Sequence, residues 1–298
     1  MDGLNRARHQ CPRQECSRSR HAHLRHRKIW RRGKIAIDFP QGELIHSQQS
    51  PLQSIEVYQS GSLRLLRTDQ AAIQSAIDLT QPHALLLPYM PMMLANLLFQ
   101  PPPRRVLLLG LGGGDLVRYL HHQFPRCNIT AVEIDKQMIA VSQRYFALPD
   151  SNKIQLFTED AAHFIAANKR PVDTLLVDLY GQNGTPPLLQ EDEFYDGCYR
   201  ALSRDGIMVV NLLINHAQEL HTILRKIRQQ FQQLTLCLTV AGYKNVIVIA
   251  FRQPPTSLNR AGLMQRAAEV SPDFELNFAA IVDNLFTTNP LAGGELFF

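Results

Sequence analysis

Residues 106–120 read VLLLGLGGGDLVRYL, and this stretch decides the fold. A run of β-type apolar residues leads directly into a glycine turn, an acid and a helix-like pattern. The spacing is G-x-G-x-G, at Gly110, Gly112 and Gly114, and Asp115 stands where a dinucleotide fingerprint has its third glycine. Taken alone, such a turn is also consistent with a tight strand-to-helix connection. As a ligand site, it favours close backbone approach to an adenosine compound over a dinucleotide.

Strand-like runs recur through the rest of the chain, with helical patterns between them at, for example, 136–147 and 216–231. The strand-like runs are 106–109, 129–133, 154–157, 173–178, 206–211, 234–240 and 246–251. This alternation predicts an α/β fold, a Rossmann-like, mostly parallel seven-stranded sheet with an antiparallel edge strand. Only the turn AGYK joins the last two runs, so we expect them to pair as an antiparallel hairpin at the sheet edge.

The chain before the glycine turn has a different pattern. Short β-type runs at 54–59 and 62–67, separated by Gly or Pro, are typical of a small antiparallel hairpin module. Residues 83–99 have a helical pattern that the prolines at 101–103 end. Four segments are therefore predicted: a basic, disordered tail (1–33), an N-terminal β module with its linking helix (34–100), a nucleoside-binding α/β domain (101–255), and C-terminal helices with a tail (256–298).

The positive charge of the chain is confined to its first residues. The formal net charge is +5, but residues 1–34 hold 11 of the 31 Lys and Arg residues and only two of the 26 acids. The tail is consistent with a disordered extension, an overlong translation start, an organelle transit peptide, or a weak, sequence-independent nucleic-acid or anionic-surface contact. A zinc site built from Cys11, Cys16, His21, His23 and His26 would lack a second ligand pair at finger spacing, so we expect no metal.

The bulk composition indicates a soluble globular protein. Hydrophobic residues make up 45% and charged residues 19% of the 298-residue chain. No apolar run is long enough to span a bilayer, and the N-terminus lacks the apolar region of a secretory signal. The five cysteines are scattered and odd in number, which favours a reducing cytoplasm over a disulfide framework: Cys11, Cys16, Cys127, Cys198 and Cys237.

Acids stand at the ends of the strands that follow the glycine turn. Glu133 comes 19 residues after Gly114, where a carboxylate can accept both hydroxyls of a ribose. Asp160 follows the third strand, where it can meet an adenine amino group, cap a helix, or do both. Asp178 ends the fourth strand and faces the same crevice. Together these acids predict a site for S-adenosylmethionine or a close relative, in a class I methyltransferase-like fold.

With these residues considered together, the chain resembles the spermidine synthase family (polyamine aminopropyltransferases) over about residues 34–250. SPLQSIEV (50–57) is similar to the segment whose glutamine, Gln53 here, contacts the nucleoside. LRLLRTDQAAIQS (63–75) is similar to the hairpin that ends in Gln74. The later motifs VEID (132–135), EDA (159–161) and VDLYGQNGTPPLLQEDEFY (177–195) align without gaps.

The resemblance implies a function. In this family, decarboxylated S-adenosylmethionine donates an aminopropyl group to a diamine, and the acid that matches Asp178 is the general base. The residues implied on the nucleoside side are Gln53, Gly110, Gly112, Gly114, Glu133, Asp160 and Ala161, and those on the substrate side are Gln74, Tyr89 and Tyr180. Tyr180 and Tyr195 are also explained by core packing. A small-molecule acceptor and a homodimer are implied as partners.

Three acidic positions of the family pattern are not acidic here. They fall on Pro91, on Gly113 within the glycine turn, and on Gly181, while Asp115 lies two residues after Gly113. A buried ammonium group without a carboxylate is unfavourable by several kcal/mol, so the acceptor site is expected to be altered. An acid beside the donor tail would repel the carboxylate of intact S-adenosylmethionine. Its absence at Gly113 predicts that the intact donor binds at least as well as the decarboxylated one.

Three functions are therefore consistent with the sequence. The first is an aminopropyltransferase-related transferase of polyamine metabolism with an altered acceptor. The second is an S-adenosylmethionine-dependent methyltransferase acting on an uncharged or less cationic small molecule, for which the apolar Met90, Met92 and Met93 would suit the acceptor side. The third is a non-catalytic nucleoside-binding member of the family.

Overall fold

The structure is a computed structural model that describes residues 29–31, 34–36, 39, 42–69, 73–181 and 185–298. The chain divides into two units, Met1–Asp38 and Phe39–Phe298. In the first unit, β1 (Ile29–Arg31) and β2 (Lys34–Ala36) pair antiparallel, and this pair spans the predicted boundary between the tail and the β module. The remainder of the predicted tail, including the residues considered for zinc and for nucleic-acid contact, lies outside the described residues.

The second unit begins with a four-stranded antiparallel sheet, which confirms the predicted N-terminal hairpin module. Its strands are β3 (Glu43–Gln49), β4 (Ser54–Ser60), β5 (Leu63–Thr68) and β6 (Ile73–Asp78), paired in that order. Alternate residues of these strands are buried, which is the period expected of a sheet with one covered face. Ile55, Val57, Leu66 and Ile77 pack against Phe146 and its neighbours.

The predicted linking helix over 83–99 is wrong in its extent. Within this segment only α1 (Met90–Met93) and a short 3-10 helix (Ala95–Leu98) are helical. Pro88 and Pro91 cannot donate backbone hydrogen bonds, which confines α1 to a single turn with Pro91 near its start. Apolar residues on every side of the segment bury it in the core without an amphipathic period, and Tyr89 lies at the start of α1.

A seven-stranded, mostly parallel sheet forms the main body, as predicted. Its strands are β7 (Arg105–Leu109), β8 (Asn128–Glu133), β9 (Ile154–Thr158), β10 (Val172–Val177), β11 (Leu202–Leu213), β12 (Thr235–Thr239) and β13 (Asn245–Phe251). They lie in the order β12-β13-β11-β10-β7-β8-β9. The predicted hairpin β12–β13 forms the sheet edge, and β13 runs antiparallel to both of its neighbours. The antiparallel strand is therefore β13, which lies next to the edge strand β12.

Helices cover both faces of this sheet. The helices are α2 (Asp115–Gln123), α3 (Lys136–Tyr145), α4 (Ala161–Ala167), α5 (Asp192–Ala201), α6 (Ala217–Gln230), α7 (Arg260–Phe274) and α8 (Phe278–Thr288), followed by the short strands β14 (Leu291–Ala292) and β15 (Glu295–Leu296). Residues of α2, α7 and α8 share one apolar cluster, and those of α4, α5 and α6 share another. Strand order reverses between β7 and β10, so a crevice opens beyond their carboxyl ends.

Candidate active site

The glycine turn brings the ends of two strands into close contact. Gly110 follows β7 with φ of +91°, and a Cβ there would lie 2.1 Å from the backbone oxygen of Asp178. Gly112, with φ of +53°, has no atom within 4 Å of such a Cβ and faces open space. Gly114, with φ of +81°, precedes α2, and its Cβ would lie 2.5 Å from the side chain of Leu148. The first two glycines thus border the crevice, and the third packs against the core.

Replacing Gly110 by Ala is expected to destabilise the fold much more than replacing Gly112. Both positions have positive φ, which is unfavourable by about 1 kcal/mol for Ala, but only Gly110 is in contact with backbone that cannot move away. Overpacking adds about 1–3 kcal/mol at Gly110 alone. Thermal unfolding of the two variants measures the difference, and equal melting temperatures would contradict the close contact.

One cavity collects most of the residues predicted from the sequence. It has a volume of about 460 Å³ and lies at the carboxyl ends of the parallel strands. Its lining includes Gln53, Gln74, Gly110, Gly112, Glu133, Asp160, Ala161, Asp178 and Tyr180. Tyr89 lines an adjoining space of about 30 Å³, which shares Asp178 and Tyr180 with the larger cavity. Of the residues predicted for the nucleoside and substrate sides, only Gly114 borders neither space. Of the three methionines considered for the acceptor side, Met90 borders the smaller space, and Met92 and Met93 border neither.

Hydrogen bonds from backbone amides hold the Glu133 carboxylate beside the glycine turn. Its Oε2 accepts a hydrogen bond from the Leu111 amide at 3.0 Å, and its Oε1 accepts one from the Asp135 amide at 3.0 Å. Burial raises the pKa of Glu133, and these backbone bonds act in the opposite direction. The carboxylate is therefore oriented before any ligand arrives, and its remaining lone pairs can accept a pair of hydroxyls.

Asp160 caps a helix and lines the cavity at the same time. Its Oδ1 accepts hydrogen bonds from the amides of Ala162 at 2.8 Å and His163 at 3.0 Å, which makes it the N-cap of α4. Ala161 is the first residue of that helix and borders the cavity beside it. The two roles that the sequence left open for Asp160 are thus compatible.

Asp178 directly follows β10 and lies in a partly buried hydrogen-bond network. Its Oδ1 accepts from Asn211 Nδ2 at 2.8 Å, and its Oδ2 accepts from the Tyr89 hydroxyl at 3.1 Å. Burial raises the pKa of Asp178 to about 6, although the bonds from Asn211 and Tyr89 lower it. The carboxylate is thus ionised at neutral pH yet more basic than an exposed aspartate, which suits a general base.

The two tyrosines of the network remain protonated donors. Burial raises the pKa of Tyr89 well above its ordinary value, and the charge of Asp178 adds to this effect. Burial likewise raises the pKa of Tyr180, whose hydroxyl accepts from Asn211 Nδ2 at 2.6 Å. Tyr195 is different, because it is fully buried and donates to the Leu189 carbonyl at 2.8 Å. Its position agrees with core packing.

Sequence reasoning missed the role of Asp115, which borders the 30 Å³ space beside Asp178. Its Oδ1 lies 3.0 Å from Arg118 Nη2, and its Oδ2 accepts from the Ser75 hydroxyl. The carboxylate that the family pattern places at position 113 is thus found two residues later, paired with a cation. A Cβ at Gly113 would lie 2.2 Å from Ser75 Oγ, so Ser75 takes the space of an acid there. The signal in the sequence was the Asp–Arg spacing of three within a helix.

Asn211 and Asn245 were also missed. Asn211 interrupts the apolar strand MVVNLL, and Asn245 Nδ2 donates to Asn211 Oδ1 at 2.9 Å. A polar residue within a buried strand requires hydrogen-bond partners, and this pattern was the available signal.

Two other features of the described residues bear on the class of protein. No helix among them is both long and apolar enough to cross a membrane. No group of three or more His, Cys, Asp or Glu side chains in that part of the chain is arranged to hold a metal ion.

A glycine turn at the reversal of strand order, with acids after three strands of the same sheet, defines a class I methyltransferase-like α/β protein. The sequence profile of the spermine/spermidine synthase domain matches residues 88–253. The chain belongs to the spermine/spermidine synthase family.

Individual relatives agree with this assignment. The polyamine aminopropyltransferase of Chromobacterium violaceum is 30% identical over 246 residues, covering 82% of this chain and 94% of that protein. A probable spermidine synthase from Corynebacterium glutamicum has a similar structure, with a TM-score of 0.64 and 20% identity over 78% of this chain and 88% of that one. Human methyltransferase-like protein 13, in complex with SAH, has a TM-score of 0.59 and 24% identity over 64% of this chain and 93% of that one.

Proposed function

We propose that the protein binds an S-adenosyl sulfonium compound in the 460 Å³ cavity and transfers one of its groups to a small-molecule acceptor. The observation that carries this proposal is that Glu133, Asp160 and Asp178, from three different strand ends, line one cavity together. The polyamine aminopropyltransferase relatives and the SAH complex of the structural neighbour support the same class of ligand.

Each group of residues has a part in binding the donor. Glu133 accepts the ribose hydroxyls, while Asp160 and Ala161 receive the adenine. Gly110 and Gly112 allow the backbone to approach the donor closely, and Gln53 borders the nucleoside from the N-terminal sheet. Gln74, Tyr89 and Tyr180 surround the reactive end beside Asp178.

Asp178 acts as the general base of the transfer. The nucleophilic atom of the acceptor attacks the carbon bonded to the sulfonium, and the carbon–sulfur bond breaks with its electron pair remaining on sulfur. The proton of the acceptor passes to Asp178, whose pKa of about 6 keeps it ionised at neutral pH. The products are the alkylated acceptor and a neutral thioether.

The acceptor is less cationic than a diamine. Pro91, Gly113 and Gly181 stand at the positions that are acidic in the family pattern. Asp115 borders the space beside Asp178, but Arg118 balances its charge at 3.0 Å. A second ammonium group of a diamine would therefore meet no unpaired carboxylate besides Asp178 among the described residues that line this space, and intact S-adenosylmethionine would meet little additional repulsion.

Methyl transfer is the second candidate. The apolar side chain of Met90 borders the space next to Asp178, and this favours a less cationic acceptor such as a methyltransferase substrate. The third candidate is a protein that binds the donor and catalyses no transfer.

Isothermal titration with S-adenosylmethionine and its decarboxylated form tests the proposal. We expect the intact donor to bind at least as tightly as the decarboxylated one, and Glu133→Gln to weaken binding at least tenfold, because a hydrogen bond to a charged group is worth about 1.5–3 kcal/mol. Glu193→Gln, an exposed position on α5, serves as the control. If neither donor binds the wild-type protein, the proposal fails.

Product analysis separates the candidate reactions. Formation of a polyamine from decarboxylated donor and putrescine would assign aminopropyl transfer, and label transferred from methyl-labelled S-adenosylmethionine to small molecules of a cell extract would assign methyl transfer. Binding without either product would assign the non-catalytic alternative. The homodimer and the cytoplasmic location stay predictions.

A further inference from the structure

Asn211 and Asn245 form a buried pair behind the candidate base. They lie on the neighbouring antiparallel strands β11 and β13, where Leu213 is opposite Asn245 and Asn211 is opposite Ile247. The two asparagines are therefore diagonal neighbours, and they are 3% and 6% exposed. Neither borders the 460 Å³ cavity or the 30 Å³ space beside it.

The hydrogen bonds around Asp178 have a single direction. Asn211 Nδ2 has two protons, and it donates to Asp178 Oδ1 at 2.8 Å and to the Tyr180 oxygen at 2.6 Å. Tyr180 is also in hydrogen-bond contact with Tyr89, Asn245 and Asp178. The Tyr89 hydroxyl in turn donates to Asp178 Oδ2 at 3.1 Å. Both branches of this ring end on the carboxylate.

Asn245 decides which way the Asn211 amide points. Its Nδ2 donates to Asn211 Oδ1 at 2.9 Å. Turning the Asn211 amide over would place two NH₂ groups against each other at Asn245 and would place its oxygen against the Asp178 carboxylate. Asn245 and Asp178 therefore select the same orientation of Asn211 from its two sides.

We propose that Asn211 and Asn245 are positioning residues that hold the Asp178 carboxylate with Oδ1 bound inside the protein and Oδ2 at the reactive end of the donor site. Asn211 acts by direct contact with Asp178, and Asn245 acts through its contacts with Asn211 and Tyr180. The catalytic significance of this arrangement rests on the proposed function of Asp178, whereas the arrangement itself can be tested without turnover.

The titration of Asp178 reports the arrangement directly. The titratable and charged groups that act on it are Tyr89, Tyr180 and Asp115, the last of which is paired with Arg118. The bond from Asn211 is the largest effect lowering the pKa of Asp178. Loss of a donor to the charged form therefore raises the pKa of the carboxyl.

The experiment is a pH titration of protein labelled with ¹³C at the aspartate carboxyls. The Asp178 signal is identified by its loss in Asp178→Asn, and it is then followed in Asn211→Leu, in Asn245→Leu and in the double variant. Asn96→Leu is the matched control, because Asn96 is also buried and donates to Thr174 Oγ1 at 3.2 Å, away from the ring. If Asn245→Leu does not fold, Asn245→Ser tests the same contact with a side chain that is still polar.

We expect Asn211→Leu to raise the pKa of Asp178 by about 1, a tenfold change in its acid dissociation constant. Asn245→Leu should raise it by a smaller amount, because Asn245 reaches Asp178 through Asn211 and Tyr180. The double variant should raise it by less than the sum of the two single effects, since both asparagines act through one network. Asn96→Leu should leave the pKa unchanged.

Three results would overturn the inference: an unchanged pKa in Asn211→Leu, additive effects in the double variant, or an equal rise in Asn96→Leu. Titration calorimetry with S-adenosylhomocysteine separates this inference from the proposed function. Failure of the wild-type protein to bind that probe would count against the proposed function and leave the titration result intact, while the asparagine variants should retain its affinity within about threefold, roughly 0.6 kcal/mol.

Discussion

Asp178→Asn is expected to lower the rate of group transfer by about 10²–10⁴-fold while leaving nucleoside affinity within a few-fold of the wild type. Asparagine has nearly the shape of aspartate and cannot take a proton from the acceptor. The proposed nucleoside contacts come from Glu133, at the end of β8, and Asp160, after β9, and the substitution leaves both in place. Transfer from labelled donor measures the first effect, and titration calorimetry with S-adenosylhomocysteine measures the second.

The pH dependence gives this prediction a second signature. Because the pKa of Asp178 is raised to about 6, the wild-type rate should fall as the pH falls through that value. The raised pKa also means that folding favours the protonated carboxyl. Its contribution to stability is present below the ordinary value of 3.8 and is lost as the pH rises through about 6. The increase in melting temperature of Asp178→Asn over the wild type should therefore be larger at pH 8 than at pH 4.5.

Asp205→Asn is the control for both measurements, because Asp205 is exposed on β11. It should change neither the rate nor the pH dependence of stability. An Asp178→Asn protein that retained a tenth or more of the wild-type rate would show that another group accepts the proton.

Residues whose placement depends on strand periodicity were predictable from the sequence. Glu133 and Asp178 each follow an apolar run, and the carboxyl ends of parallel strands meet at one edge of a sheet. Asp160 follows a third run in the same way. The cavity that these acids share was therefore predictable as soon as the strand–helix alternation was recognised.

Residues whose placement depends on contacts between distant segments were not predictable. Ser75 and Asp115 are 40 residues apart, and nothing local in either segment indicates that they meet. Asn211 and Asn245 are brought together only by the register of β11 against β13. The prediction of a helix over 83–99 was wrong for a related reason, because burial on all sides gives an apolar run without a decisive period.

Arg118 joins three segments beneath the glycine turn. It is 3% exposed and pairs with Asp115 at 3.0 Å. Three of its other guanidinium protons go to the carbonyl oxygens of Gly113, Phe146 and Pro82, the last two at 2.8 Å and 2.7 Å. A planar guanidinium supplies five donors in a fixed geometry, so no other side chain can satisfy these acceptors together.

Arg118→Met is therefore expected to lower the free energy of unfolding by about 3–5 kcal/mol, because it leaves the Asp115 carboxylate buried without a partner. Arg200→Met is the matched control: Arg200 pairs with Asp196 at the same 3.0 Å, but the two side chains are 64% and 50% exposed. Such a surface pair is worth less than about 1 kcal/mol. Adding Asp115→Asn to Arg118→Met should recover part of the loss, since it removes the unpaired charge. Equal unfolding free energies for the Arg118 and Arg200 variants, measured by urea denaturation, would mean that Arg118 does not hold the glycine turn in place.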